Sequence, residues 1–184
     1  MPRGSRWANR FIAGALVQGM IAFVIMSVLL YLALFGRPAV SRIVAAGGAG
    51  TWFTVGLIGY ALIGVLGIAV SALFYHHIEV TLAHPYRGWR NIAAWMHLVL
   101  GGAAASAAAL LTAFGGLMGG SALVPAAQGG WGADSTYVHE NVLGPLVVPI
   151  AGLIGLGLLG FFIGGVGYVT AWWSAVRSES PTPS

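Results

Sequence analysis

Cysteine and lysine are both absent from the 184 residues, and charged residues of every kind make up only 7% of them. Without cysteine there are no disulfides, thiolate metal sites, iron–sulfur clusters or thioether-attached haem, so redox chemistry would have to use histidine ligands or a bound quinone. Without charge the chain cannot cover the surface of a water-soluble domain, which typically carries about 25% charged residues. What it has instead is 58% hydrophobic residues and 29 glycines. Lipid must therefore solvate most of it. The formal charge of +4 would suggest nucleic acid in a soluble protein, but here the basic residues are all arginines scattered near the ends of apolar runs. They read as determinants of membrane topology, and no nucleic-acid partner is expected.

A chain inside hydrocarbon must satisfy every backbone amide internally, so it is helical or a closed barrel, and these apolar runs lack the two-residue alternation of barrel strands. Four runs, residues 11–35, 52–82, 91–117 and 142–176, exceed the roughly 20 residues that cross a bilayer at 1.5 Å per residue. The expected fold is all-α, an integral membrane four-helix bundle, antiparallel, forming one transmembrane domain over residues 1–184. No small-residue cleavage site follows the first run, which reads as a retained span. Gly36-Arg37-Pro38 should end the first helix, Gly47, Gly48 and Gly50 should loosen the chain, and His84-Pro85-Tyr86-Arg87-Gly88 should make a tight turn. Residues 119–141 are left as an outer loop.

Arginines sort by side: Arg3, Arg6, Arg10, Arg87, Arg90 and Arg177 on one, Arg37 and Arg42 on the other. The rule that positive flanks stay in the cytoplasm predicts both termini inside a plasma membrane. Trp52 and Trp131 would then mark the outer interface, and Trp7, Trp89, Trp172 and Trp173 the inner one. Gly157, Gly160, Gly164 and Gly167 share one face of the fourth span, and Gly56, Gly64, Gly67 and Ser71 nearly share one face of the second, as expected where helix backbones approach closely. The third span, rich in alanine and glycine, should be the most enclosed, either centrally or under another subunit.

Polar residues concentrate in Tyr75-His76-His77-Ile78-Glu79, then His84, Arg87, Arg90 and His97. His77 would lie roughly 7 Å inward from the end of its helix and His97 roughly 10 Å inward from Arg90, similar depths on neighbouring spans. That permits a bis-His haem b held by His77 and His97, a metal site of His76, Glu79 and His97, or a set of headgroup-level side chains that fix the turn. A quinone or proton site is a further use of the same cluster. Glu79 could instead pair with Arg87 or Arg90. In the outer loop, Asp134, His139 and Glu140 could bind a cation or serve a docking surface, with Ser135 or Asn141 capping the fourth helix. Phosphate-binding glycine loops, a His-Glu-x-x-His motif and an arginine-rich voltage sensor are absent.

The segments Phe74-Tyr-His-His-Ile-Glu79, His84-Pro-Tyr-Arg-Gly-Trp-Arg-Asn91 and Ala94-Trp-Met-His-Leu-Val99 resemble small four-helix membrane proteins of archaea associated with aerobic respiratory chains and haem–copper terminal oxidases. The resemblance covers residues 74–120. It implies an accessory subunit that packs beside other membrane subunits of an electron-transfer complex, and it assigns no catalytic residue. A self-contained b-type cytochrome or quinone-linked oxidoreductase, and a small oligomeric transporter or channel, are the competing expectations.

Overall fold

A computed structural model describes residues 4–178, so Arg3 lies outside the described residues. Among those residues 87% are helical and there is no strand. The helices are α1 (Arg6–Phe35), the short α2 (Val40–Val44), α3 (Gly47–Thr81), α4 (Trp89–Leu123) and α5 (Ser135–Arg177); all but α2 are long and apolar enough to cross a membrane.

Each long helix begins earlier than the apolar pattern alone suggested, and in α1, α3 and α5 a polar cap or a packed glycine accounts for the extension. Ser5 caps α1, its Oγ accepting from Ala8 N at 2.9 Å, so the helix starts at Arg6 rather than at residue 11. Gly47, Gly48 and Gly50 do not loosen the chain but form the first turn of α3, with Gly50 packed directly on the backbone of Val44. Gly119 and Gly120 belong to α4, where they accommodate Ile43, Ala49 and Val138. Asp134, rather than Ser135 or Asn141, caps α5 by accepting from Tyr137 N at 2.8 Å, and the outer connection shrinks accordingly.

Wide π turns interrupt α3 at Tyr60–Gly67 and His77–Thr81, α4 at His97–Ala104 and α5 at His139–Leu143. The last has a local cause. Pro145 lacks an N–H and its ring would collide with the carbonyl four residues back, so a widened turn just before it lets the helix continue.

The four long helices differ in enclosure as the small residues dictate. Of the most apolar stretch of α4, 39% is buried, against 6% for α1. On one side α4 meets α3 backbone to backbone: a Cβ on Gly116 would strike Phe53, and one on Gly56 would strike Ala113. On the other side Gly157, Gly160, Gly164 and Gly167 of α5 receive Ala105, Gly101, His97 and Ala93 of α4 in register. The expected face on α5 is therefore a contact surface. Gly67 is different: the nearest atom to its Cβ would be Leu62 O of its own helix.

Helix α3 ends in a Schellman-type turn, with His84 N donating to Ile78 O at 2.9 Å and Ala83 in the left-handed region at φ 48°. Alanine pays a steric penalty there that glycine avoids. Ala83→Gly is expected to raise stability by about 1 kcal/mol, read as a higher unfolding midpoint in detergent.

Candidate functional site

The start of α1, the end of α3, the start of α4 and the end of α5 meet in one aromatic and polar knot. Trp7 is fully buried and Phe11 nearly so. Phe11 stacks on Tyr75 with ring centroids 4.6 Å apart, and Tyr86 meets Tyr75 edge-on at 5.0 Å. The Tyr75 hydroxyl and His97 Nδ1 share a hydrogen bond of 3.1 Å. The His97 ring is flanked edge-on by Phe11 at 5.1 Å and Phe161 at 5.6 Å, and Gly164 provides room for its Cβ.

Three charged groups tie the helices together around this core. Glu79 Oε2 accepts from Ser5 Oγ at 2.5 Å and from Trp7 N at 2.9 Å, so an acid on α3 caps the N-terminus of α1. The Arg10 guanidinium lies against a pair of indoles that meet edge to face, 4.5 Å from the Trp7 ring centroid and 4.6 Å from that of Trp95. Arg90 bridges α4 to α5, donating from Nη2 to Thr170 O at 3.1 Å and to Ser174 Oγ at 2.7 Å; its Nη1 lies 2.7 Å from His84 Nε2. Arginine has no acceptor, so His84 Nε2 is the acceptor and the imidazole is neutral in this contact. Burial, and then the Arg90 charge, hold the His84 pKa below its ordinary value, which favours that neutral form. Burial, with Tyr168 beside it, raises the pKa of the Tyr86 phenol and keeps it protonated. Trp7 Nε1, Arg10 Nη1, Tyr86 OH, Arg90 Nε and Asn91 Oδ1 are buried with no hydrogen-bond partner among the described residues.

Against this geometry the sequence-derived site divides. His97 sits in the knot, but His77 and His76 are exposed. His77 follows Tyr75 by two residues, about 200° around a helix, so the face that brings Tyr75 to His97 turns His77 away. The structure therefore does not bring the proposed haem pair together. Nor does it gather His76, Glu79 and His97: among the described residues no group of three or more His, Asp or Glu side chains is placed to hold a metal. The anticipated pairing of Glu79 with Arg87 or Arg90 is replaced by the Ser5–Glu79 and Arg90–Ser174 contacts. Trp7, expected at the inner interface, is fully buried among the helices. At the far end Asp134 is an exposed cap, His139 and Glu140 are exposed in the first turns of α5, and Asn141 donates to Tyr137 O at 3.1 Å.

Ser5 and Phe11 were not anticipated as contributors, and Arg10 and Tyr75 were named without these contacts. For Tyr75 a usable signal existed, since Ser71, Ala72, Tyr75 and Ile78 fall at helical spacing on one buried face. The Ser5–Glu79 contact spans 74 residues and leaves no local trace.

Chemically, the knot is closed on itself: its histidine is bonded to a tyrosine and its carboxylate caps a helix. Compared with family models, curated proteins and solved structures, the chain matches none.

Proposed function

We propose that this chain is an accessory integral-membrane subunit of a larger electron-transfer complex, an antiparallel four-helix bundle in a plasma membrane with both termini cytoplasmic. The observation that carries the subunit reading is α1. It is anchored at its N-terminal end through Trp7, Ala8 and Phe11 and at mid-length by the Tyr60 hydroxyl, which lies 2.9 Å from Gln18 O and 2.6 Å from Gln18 Oε1, while its outer half leaves an apolar groove of about 350 Å³ against Phe53, Leu57, Leu110, Phe114 and Leu117. An apolar groove beside the half of α1 that follows Gln18 suits the insertion of a neighbouring subunit's helix. The electron-transfer assignment rests on the resemblance of residues 74–120 to respiratory membrane proteins.

The antiparallel arrangement is supported by connection length. The connection between Thr81 and Trp89 can span at most about 3.5 Å per residue, well short of the roughly 50 Å needed to retrace a helix of this length. The arginine-rich knot then lies on the cytoplasmic side, where Arg6, Arg10, Arg87, Arg90 and Arg177 cluster.

Purification from native membranes in a mild detergent tests the reading. The expected result is co-purification with larger subunits that carry haem absorbance, whereas the chain isolated alone has no Soret band. A stable homo-oligomer without other chains overturns the accessory role. A Soret band in the isolated chain that disappears in His97→Ala would assign it as a cytochrome instead.

A further inference from the structure

We infer that the junction of α4 and α5 at the arginine-rich end is a binding site for the phosphodiester headgroup of an anionic phospholipid. Two open hollows adjoin there. One, of about 430 Å³, is lined by His84, Arg87, Trp89 and Arg90. The other, of about 320 Å³, is lined by Thr170, Trp173, Ser174 and Arg177. Arg90 joins them, since the same guanidinium that lines the first hollow donates to Thr170 O and Ser174 Oγ in the second. No acid among the described residues lines either hollow. Glu79 borders a neighbouring hollow together with Arg6 and Arg87, where it is held by Ser5 and Trp7, and Asp134 and Glu140 belong to the opposite end.

Three features make this a site for a phosphate rather than a loose cluster of charge. Arg90 is locked by its contacts, so its charge is present at fixed position without ordering cost on binding. The remaining two arginines sit on the rim, where Arg177 lies 4.8 Å above the Trp173 ring and Arg87 is exposed. The planar forks of Arg87 and Arg177 can each fit two phosphate oxygens at once, while Arg90, whose Nη2 already donates to Thr170 O and Ser174 Oγ, contributes its fixed charge.

A further pattern selects a lipid over a free anion. From Trp89 an exposed apolar stripe continues down α4 through Ile92 and Val99, and from Trp173 another continues down α5 through Val169, Val166 and Phe162. Both stripes follow helical spacing, so each runs along one face from a hollow towards the bilayer centre, where acyl chains lie. Half-exposed indoles at the top of each stripe match headgroup depth. Basic pockets between spans on the cytoplasmic side are the general solution for such headgroups.

The inference rests on this chain's place in a bilayer and not on its electron-transfer role. The isolated chain in detergent, titrated with phosphatidylglycerol, phosphatidylcholine or inorganic phosphate, tests it, with bound lipid counted by native mass spectrometry. Phosphatidylglycerol is expected to be retained and phosphatidylcholine lost. The double variant Arg87→Gln with Arg177→Gln, which leaves the α4–α5 bridge of Arg90 intact, is expected to weaken retention by about 30-fold. Arg37→Gln, at the other end, is expected to change nothing, and circular dichroism confirms that each variant is folded. Equal binding of the two lipids, an unchanged double variant, or displacement of phosphatidylglycerol by inorganic phosphate at matched concentration overturns the proposal. Failure here leaves co-purification with haem-bearing subunits unaffected, so the two readings fail separately.

Discussion

Gly160→Leu is expected to destabilise the protein by about 3 kcal/mol or more, whereas Gly165→Leu, five residues away on the same helix, is expected to be close to neutral. The contrast follows from what a side chain would meet. A Cβ on Gly160 would strike the amide of Gly101, with Leu100 C at 2.7 Å and Gly101 Cα at 2.8 Å, and backbone atoms cannot swing aside as a rotamer can. At Gly165 nothing lies within 4 Å. Replacing glycine within a helix gains up to about 1 kcal/mol in propensity at either position. At Gly160 that gain is outweighed, because α4 and α5 must separate and lose the matched contacts of Gly157 with Ala105, Gly164 with His97 and Gly167 with Ala93. In lipid those van der Waals contacts are the main force between helices, since burial of apolar surface from water contributes nothing. Unfolding in mixed detergent, followed by circular dichroism, reads the difference; equal midpoints for the two variants would show that α4 and α5 are not held by close backbone packing.

The same contacts explain what could be read from sequence and what could not. Four apolar runs without strand alternation were enough for four long helices, since the bilayer thickness fixes the length and the backbone fixes the type. The face of Gly157, Gly160, Gly164 and Gly167 was legible because periodicity survives in sequence. Boundaries were harder. Gly47, Gly48, Gly119 and Gly120 look like chain breakers by rules drawn from water, yet in these helices they are helical, and Gly119 and Gly120 make contact surfaces. Ser135 to Asn141 looks like loop because it is polar, yet Asp134 caps it into helix. For the site, His97 was read with His76 and His77 as a ligand set, and their contiguity hid the fact that, of residues 75 to 77, Tyr75 alone points at it. Helical phase, not adjacency, decides which side chains meet.

Glu79→Ala is expected to release α1 from the other helices at a cost of about 3 kcal/mol, and Glu79→Gln to cost about 1 kcal/mol. The sequence of α1 places Arg6 and Arg10 at the positive end of the helix dipole and no acid in its first turn. Glu79 of α3 supplies the missing negative charge from outside, accepting from Ser5 Oγ and Trp7 N. Alanine would leave the Trp7 amide and the Ser5 hydroxyl without that acceptor and two arginines without a compensating charge. Glutamine keeps an acceptor oxygen but no charge, hence the smaller loss. The effect should reach beyond the cap because the buried residues of α1 are Trp7, Ala8 and Phe11, all within its first two turns, which leaves the Tyr60 hydroxyl on Gln18 as the side-chain hydrogen bond still joining α1 to α3. The absence of natural cysteine makes a direct measurement available: Gly14→Cys on α1 and Leu98→Cys on α4, positions that contact one another, joined by a short bis-maleimide. Cross-linking is expected to be efficient with Glu79 present and to fall at least several-fold in Glu79→Ala, with Glu79→Gln between the two. If Glu79→Ala cross-links as well as the parent, the stacking of Phe11 on Tyr75, the contact of Arg10 with Trp7 and Trp95 and the Tyr60–Gln18 hydrogen bonds are sufficient to hold α1 without the carboxylate.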